Sequence, residues 1–219
     1  PPEAETEAKR KIEEALEEMD ANCGYSSAAC GTDILFLETM AERGGETHVF
    51  LPFAKQEFIE TSVRRSDGNW VDRFEKVLDH ATSVHYVTRE GYNGEDSLFS
   101  FCNEIMLGFT AMRGRGLDET PKLLTFWDGQ RGSTGGTGEL VDRWRANFNE
   151  PLVICANEVL SSLAGAGLSS SNAEASPASP VAKDKGGKKV SRAVKVMIFA
   201  DVEGFSKVPE ALTPVFVEK

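Results

Sequence analysis

Asp201 closes an apolar run, Val194 to Ala200, and Gly204 turns the chain shortly afterwards. A carboxylate at a strand end can coordinate Mg²⁺ or Mn²⁺, hard cations that take oxygen ligands. Gly204 permits a close backbone turn, and the amides of Gly204, Phe205 and Ser206 can face phosphate oxygens at the start of a helix. Ser206 suits an N-cap and Pro209 a first helical turn. The same residues also make an ordinary strand–turn–helix in which Asp201 is only a turn residue. A second chemical stretch is Gly132-Ser133-Thr134-Gly135-Gly136-Thr137-Gly138-Glu139. Its glycines allow close backbone approach to an anion, Thr134 and Thr137 offer hydroxyls, and Glu139 can accept from a ribose hydroxyl or act as a general base. A plain glycine turn with Thr137 as N-cap fits the spacing equally well. The third stretch is Ser26 to Asp33, where Gly31 and Asp33 precede a helix and Asp33 also suits its dipole.

These stretches need strands and helices to position them, and the pattern supplies both. Ala8, Ile12, Ala15, Leu16 and Met19 recur at helical spacing over residues 3–19. A short small-residue strand over 22–29 leads through Gly31-Thr32-Asp33 to a helix over 34–43, ended by Gly44-Gly45. Apolar runs over 47–53, 83–88, 122–127 and 151–156 have strand length. Helical patterns fill 70–81, 98–112 and 139–148. Near-continuous apolar strands alternating with helices predict a mostly parallel, Rossmann-like α/β sheet with helices on both faces. Ligands in such folds sit at the carboxyl ends of strands. Residues 161–193 are rich in Ser, Ala, Gly, Pro and Lys and predict a flexible linker. The expected division is a ligand-binding domain over 1–160, the linker, and a separate fragment over 194–219.

The string Phe199-Ala200-Asp201-Val202-Glu203-Gly204-Phe205-Ser206 resembles the opening of class III adenylate/guanylate cyclase catalytic domains. Pro209 to Phe216 is similar to that family's first helix. The resemblance implies that Asp201 is the first of two metal-binding aspartates, with the Val202 carbonyl on the second ion. It implies Mg²⁺ or Mn²⁺ as cofactor, triphosphate contacts from Gly204, Phe205 and Ser206, and a homodimeric parent cyclase acting on ATP or GTP. It covers residues 194–219 alone. The family's second metal aspartate does not follow in this sequence, so the chain by itself is expected to be inactive as a cyclase.

The loops at 26–33 and 132–139 resemble those of a Rossmann-like superfamily that includes the cytokinin-activating phosphoribohydrolases and the DNA-processing proteins. They are also similar to bacterial signalling-protein domains labelled TRAFs-binding. Gly135-Gly136-Thr137-Gly138-Glu139 departs from the phosphoribohydrolase Pro-Gly-Gly-x-Gly-Thr-x-x-Glu: the proline is missing and the acid follows sooner. The resemblance implies a nucleotide or nucleotide-derived ligand at Gly31, Asp33, Thr134, Gly135, Gly136, Thr137 and Gly138. It also implies a chain that begins at the fold's first helix rather than its first strand. Alternatives are an N-glycosidic hydrolase with Glu139 as acid/base and a non-catalytic protein-interaction domain.

With 24 basic against 35 acidic residues, the net charge of −11 disfavours nucleic acid and anionic membrane surfaces as partners. No apolar run approaches the ~20 residues of a membrane-spanning helix. Cys23, Cys30, Cys102 and Cys155 form no C-x-x-C pair, which argues against zinc; Cys23 and Cys30 could bridge in an oxidising compartment, but buried free thiols in a cytosolic protein are expected. His48 and His85 sit in or beside apolar strands and read as packed core or edge histidines.

Overall fold

The computed structural model describes residues 2–64, 69–92, 94–130, 134–157, 159 and 196–200. Helix α1 (Pro2–Glu18) buries Ala4, Ala8, Ile12, Ala15 and Leu16 along one stripe and turns Glu13, Glu14, Glu17 and Glu18 to solvent. Strand β1 (Cys23–Ser26) follows, then α2 (Thr32–Glu42), β2 (Glu46–Leu51), the single turn α3 (Lys55–Phe58) and a π-helical turn over Ile59–Val63. Next come α4 (Trp70–His80), β3 (Ser83–Tyr86), α5 (Ser97–Leu117), β4 (Lys122–Trp127), α6 (Thr137–Asn147), β5 (Leu152–Cys155) and β6 (Val196–Ala200). Residues 55–63, for which the sequence pattern predicts no element, are therefore helical. No helix among the described residues is long and apolar enough to cross a membrane.

All strand pairings are parallel, in the order β3-β2-β1-β6-β4-β5. The side chains alternate between two cores, as the two-residue strand period requires. Val49, Leu51, Leu124 and Phe126 join the core under α1, α2 and α4. Cys23, Tyr25, Phe50 and Leu123 join the core under α5 and α6, where Trp144 is fully buried. Helix α2 lies so close to β1 that a Cβ on Gly24 would stand 2.6 Å from Phe36 Cζ. The mixed α/β, parallel, Rossmann-like architecture expected from the alternating pattern is thus present.

One placement differs from the expected division. Val196–Ala200 lies between β1 and β4, with Tyr25 opposite Ile198 on one side and Thr125 opposite Ala200 on the other. Without it, β1 and β4 would each turn a row of backbone N–H and C=O groups into the interior of the sheet. An apolar five-residue strand satisfies both rows. The segment 161–193 and residues 201–219 lie outside the described residues.

Candidate functional site

The chain runs outward from β1 to β3, then returns across the sheet to β4. The loops after β1 and β4 therefore flank the point where the strand order reverses, which is where ligands enter folds of this kind. β6 ends at the same edge, between them.

The loop after β1 is strained and poorly satisfied. Ala28 has φ +60° and Gly31 φ +101°, both in the left-handed region. Gly31 is the N-cap of α2 and offers no side chain to its free amides. Asp33, only 2% exposed, accepts hydrogen bonds through Oδ2 from Ser27 Oγ at 2.7 Å and the Ala29 amide at 3.1 Å. Its Oδ1 and the buried hydroxyls of Ser26 and Thr32 beside it make no well-formed hydrogen bond among the described residues, although Ser26 lies close enough to the Asp33 carboxyl to favour its charged form. Burial raises the Asp33 carboxyl to about 6, against the opposing pull of Ser27, the Ala29 amide and, more weakly, Ser26. Buried polar atoms without well-formed hydrogen bonds are uncommon in folded chains, and three within eight residues call for an explanation.

The loop after β4 is pinned to the start of α5. Gly135, at φ +76°, lies so near that helix that a Cβ would stand 2.5 Å from Phe99 Cβ and 2.7 Å from the Ser100 amide. Asn103 Nδ2 donates to the Gly135 carbonyl at 2.9 Å. Gly136 is the N-cap of α6 and Thr137 its first residue, so Thr137 is not the cap that its spacing also allowed. The Thr137 hydroxyl is buried without a partner, Gly138 is buried, and Thr134 is exposed. Cys102, on the α5 turn that holds this loop, is pushed to about 12 by burial and secondarily by the charge of Asp33. The charge of Asp33 thus reaches the helix to which the loop after β4 is pinned.

Glu139 is fully engaged. Its carboxylate accepts from the Gly135 amide at 2.8 Å, from the Ser100 hydroxyl, and from Arg143 at 2.7 and 3.0 Å. These donors, the Gly135 amide first, hold its carboxyl at about 2. A group so committed positions the loop; it has no proton to give at neutral pH. The Arg143 partner was visible in sequence at i+4, whereas Ser100 was not. A separate groove of about 600 Å³ between α5 and α6 touches this network only through Glu104 and Arg143. Asp201, Val202, Gly204, Phe205 and Ser206 lie outside the described residues.

Gly135→Ala is expected to destabilise the chain by about 2–4 kcal/mol, combining the left-handed backbone with overpacking against α5. Gly129, at φ +85° but with open space around the position of a Cβ, separates the two contributions. Measured by urea unfolding of both variants, Gly129→Ala should lose only about 1 kcal/mol.

No protein family, curated protein or solved structure matches the chain.

Proposed function

We propose that the α/β unit is a regulatory domain that binds a nucleotide or nucleotide-derived small molecule at the loops after β1 and β4. The observation that carries this reading is the set of buried polar atoms at that edge without a well-formed hydrogen bond: Thr32 Oγ1, Asp33 Oδ1 and Thr137 Oγ1, with Ser26 Oγ close to the Asp33 carboxyl. Their chemistry divides the ligand. Asp33 is mostly ionised at pH 7, so its free Oδ1 suits a hydroxyl donor such as a ribose diol. A phosphate placed about 4 Å from that carboxylate would be repelled by roughly 4 kcal/mol at an effective dielectric near 20. The anionic part of the ligand therefore belongs at the α6 N-terminus, where Gly136 leaves the amides uncapped and Thr137 adds a hydroxyl.

The wider reading is that this domain regulates a class III cyclase converting ATP or GTP to a cyclic nucleotide. It rests on the Phe199–Ser206 string, with Asp201 and the Val202 carbonyl as the residues for Mg²⁺ or Mn²⁺. Calorimetry on the full chain with ATP, GTP, AMP, NAD and ADP-ribose tests the binding half. Binding of one of them is expected, with melting raised by the equivalent of ~2.7 kcal/mol at a hundredfold excess over Kd. Indifference to all of them would leave a protein-interaction domain as the better reading. Release of free base from a nucleoside monophosphate, lost in Glu139→Gln, would point to the hydrolase.

A further inference from the structure

At the opposite, amino-terminal edge of the sheet, β1 and β2 begin in register, with Cys23 beside Glu46 and Tyr25 beside His48. The two-residue strand period puts Cys23, Glu46 and His48 on one face, beneath α5. One ligand-type atom from each lies within 4.8 Å of the other two. We propose that Cys23 Sγ, a Glu46 carboxylate oxygen and His48 Nε2 form a binding site for a zinc-class divalent cation.

The hydrogen bonds around His48 support this assignment. His48 Nδ1 lies 2.8 Å from Ser83 Oγ, which lies 2.7 Å from His85 Nε2. If Nδ1–H donates to Ser83 and Ser83 donates to His85, a lone pair on Nε2 faces the cluster. That is the arrangement by which an outer hydroxyl aims a metal-binding imidazole. In the other tautomer, Nε2–H faces Glu46 Oε2 at 3.5 Å, too long for a good hydrogen bond. Nε2 is buried and unpartnered. Tyr25 stacks on the ring at 4.7 Å between centroids and fixes its plane.

The donor set of thiolate, imidazole and carboxylate matches zinc or cobalt rather than calcium or magnesium. Three protein donors leave one tetrahedral position for solvent or an exchangeable ligand. Arg113 Nη2 lies 2.8 Å from Glu46 Oε2. The same oxygen faces His48 Nε2, so ion binding has Glu46 turn its carboxylate to give one oxygen to Arg113 and the other to the metal. Binding takes the Cys23 proton into solvent, because the thiolate is the ligand. None of the three donors is a residue of the proposed nucleotide site, so the cation proposal is tested separately from the nucleotide reading.

The test is titration of the chelator-stripped full chain with Co²⁺, followed by displacement with Zn²⁺. One equivalent should bind, with four-coordinate visible bands and a thiolate-to-cobalt charge-transfer band. Cys23→Ser should abolish the charge-transfer band. Ser83→Ala, which keeps all three donors, should weaken binding by about 10–100-fold while preserving that band at saturation. Glu46→Gln, at a half-exposed position, should weaken it by at least about tenfold with the fold intact. Absence of uptake overturns the proposal. So does a charge-transfer band that survives Cys23→Ser, since the metal would then sit on another thiol. Should Cys23→Ser fail to fold, wild-type affinity in Glu46→Gln and Ser83→Ala overturns it equally.

Discussion

Asp33→Asn is expected to stabilise the protein at pH 8 by roughly 2–3 kcal/mol, to change nothing at pH 4, and to lose ligand affinity. Burial lifts this carboxyl from 3.8 to about 6. Between those values the folded chain keeps a proton that the unfolded chain has released. The favourable contribution of that proton is complete below about pH 4, is lost as pH rises through 6, and is gone above about pH 7. A separation of about two pH units corresponds to roughly 3 kcal/mol. Asparagine is neutral throughout, and its carbonyl oxygen can still accept from Ser27 and Ala29. The variant should recover most of that amount, visible as a wild-type-minus-variant difference in urea unfolding that opens between pH 4 and pH 8. At the same time an N–H donor replaces the free Oδ1 acceptor, so a ligand hydroxyl loses its partner. A fall in affinity of tenfold or more, in a protein of higher melting temperature, separates a binding acid from a structural one. A variant less stable at pH 8 would show that Asp33 is held for the fold instead.

Much of this site was legible beforehand, and the reasons are local. Alternating apolar runs and helical spacing locate β1, β2, β3, β4, β5 and the helices α1, α2, α4, α5 and α6, though not the short helical turns over 55–63, because both periodicities are properties of neighbouring residues. The glycine and hydroxyl content of 26–33 and 132–139 marks both loops for the same reason. The tight contacts were not legible. Ser100 on Glu139 and Asn103 on Gly135 span more than thirty residues, and only tertiary packing brings them together. Thr137 looked like a cap because threonine often is one, but the chain turns a residue earlier and leaves its hydroxyl buried. The Cys23, Glu46 and His48 cluster has a faint signal in the sequence. Glu46 and His48 share strand parity, and matching the starts of β1 and β2 brings Cys23 alongside. Cysteine spacing bears on paired-cysteine zinc sites and says nothing of a mixed donor set.

The seat of β6 was the least legible feature, and it carries the other large expected effect. An apolar strand reads the same in sequence whichever sheet receives it, because the choice is made by distant partners. In this structure Ile198 lies between Tyr25 of β1 and Leu123 of β4, in the middle of the sheet. Ile198→Pro should therefore destabilise the whole α/β unit by about 3 kcal/mol or more, since proline removes a ladder donor and fits only at sheet edges. Ile198→Val, which keeps the backbone donor, should lose no more than about 1.5 kcal/mol. Near-UV circular dichroism on heating gives a convenient readout, because Trp144 is buried in the core shared with β4. If residues 194–219 instead form a separate catalytic fragment, Ile198→Pro will leave that transition unmoved. The outcome also bears on ligand binding. β6 is the only strand joining β1 to β4 among the described residues, so its loss would free the two loops from each other. Weaker nucleotide binding in Ile198→Pro but not in Ile198→Val would show that the strand before Asp201 helps build the site. The proposed ligand site and the segment that resembles a cyclase opening would then share one strand.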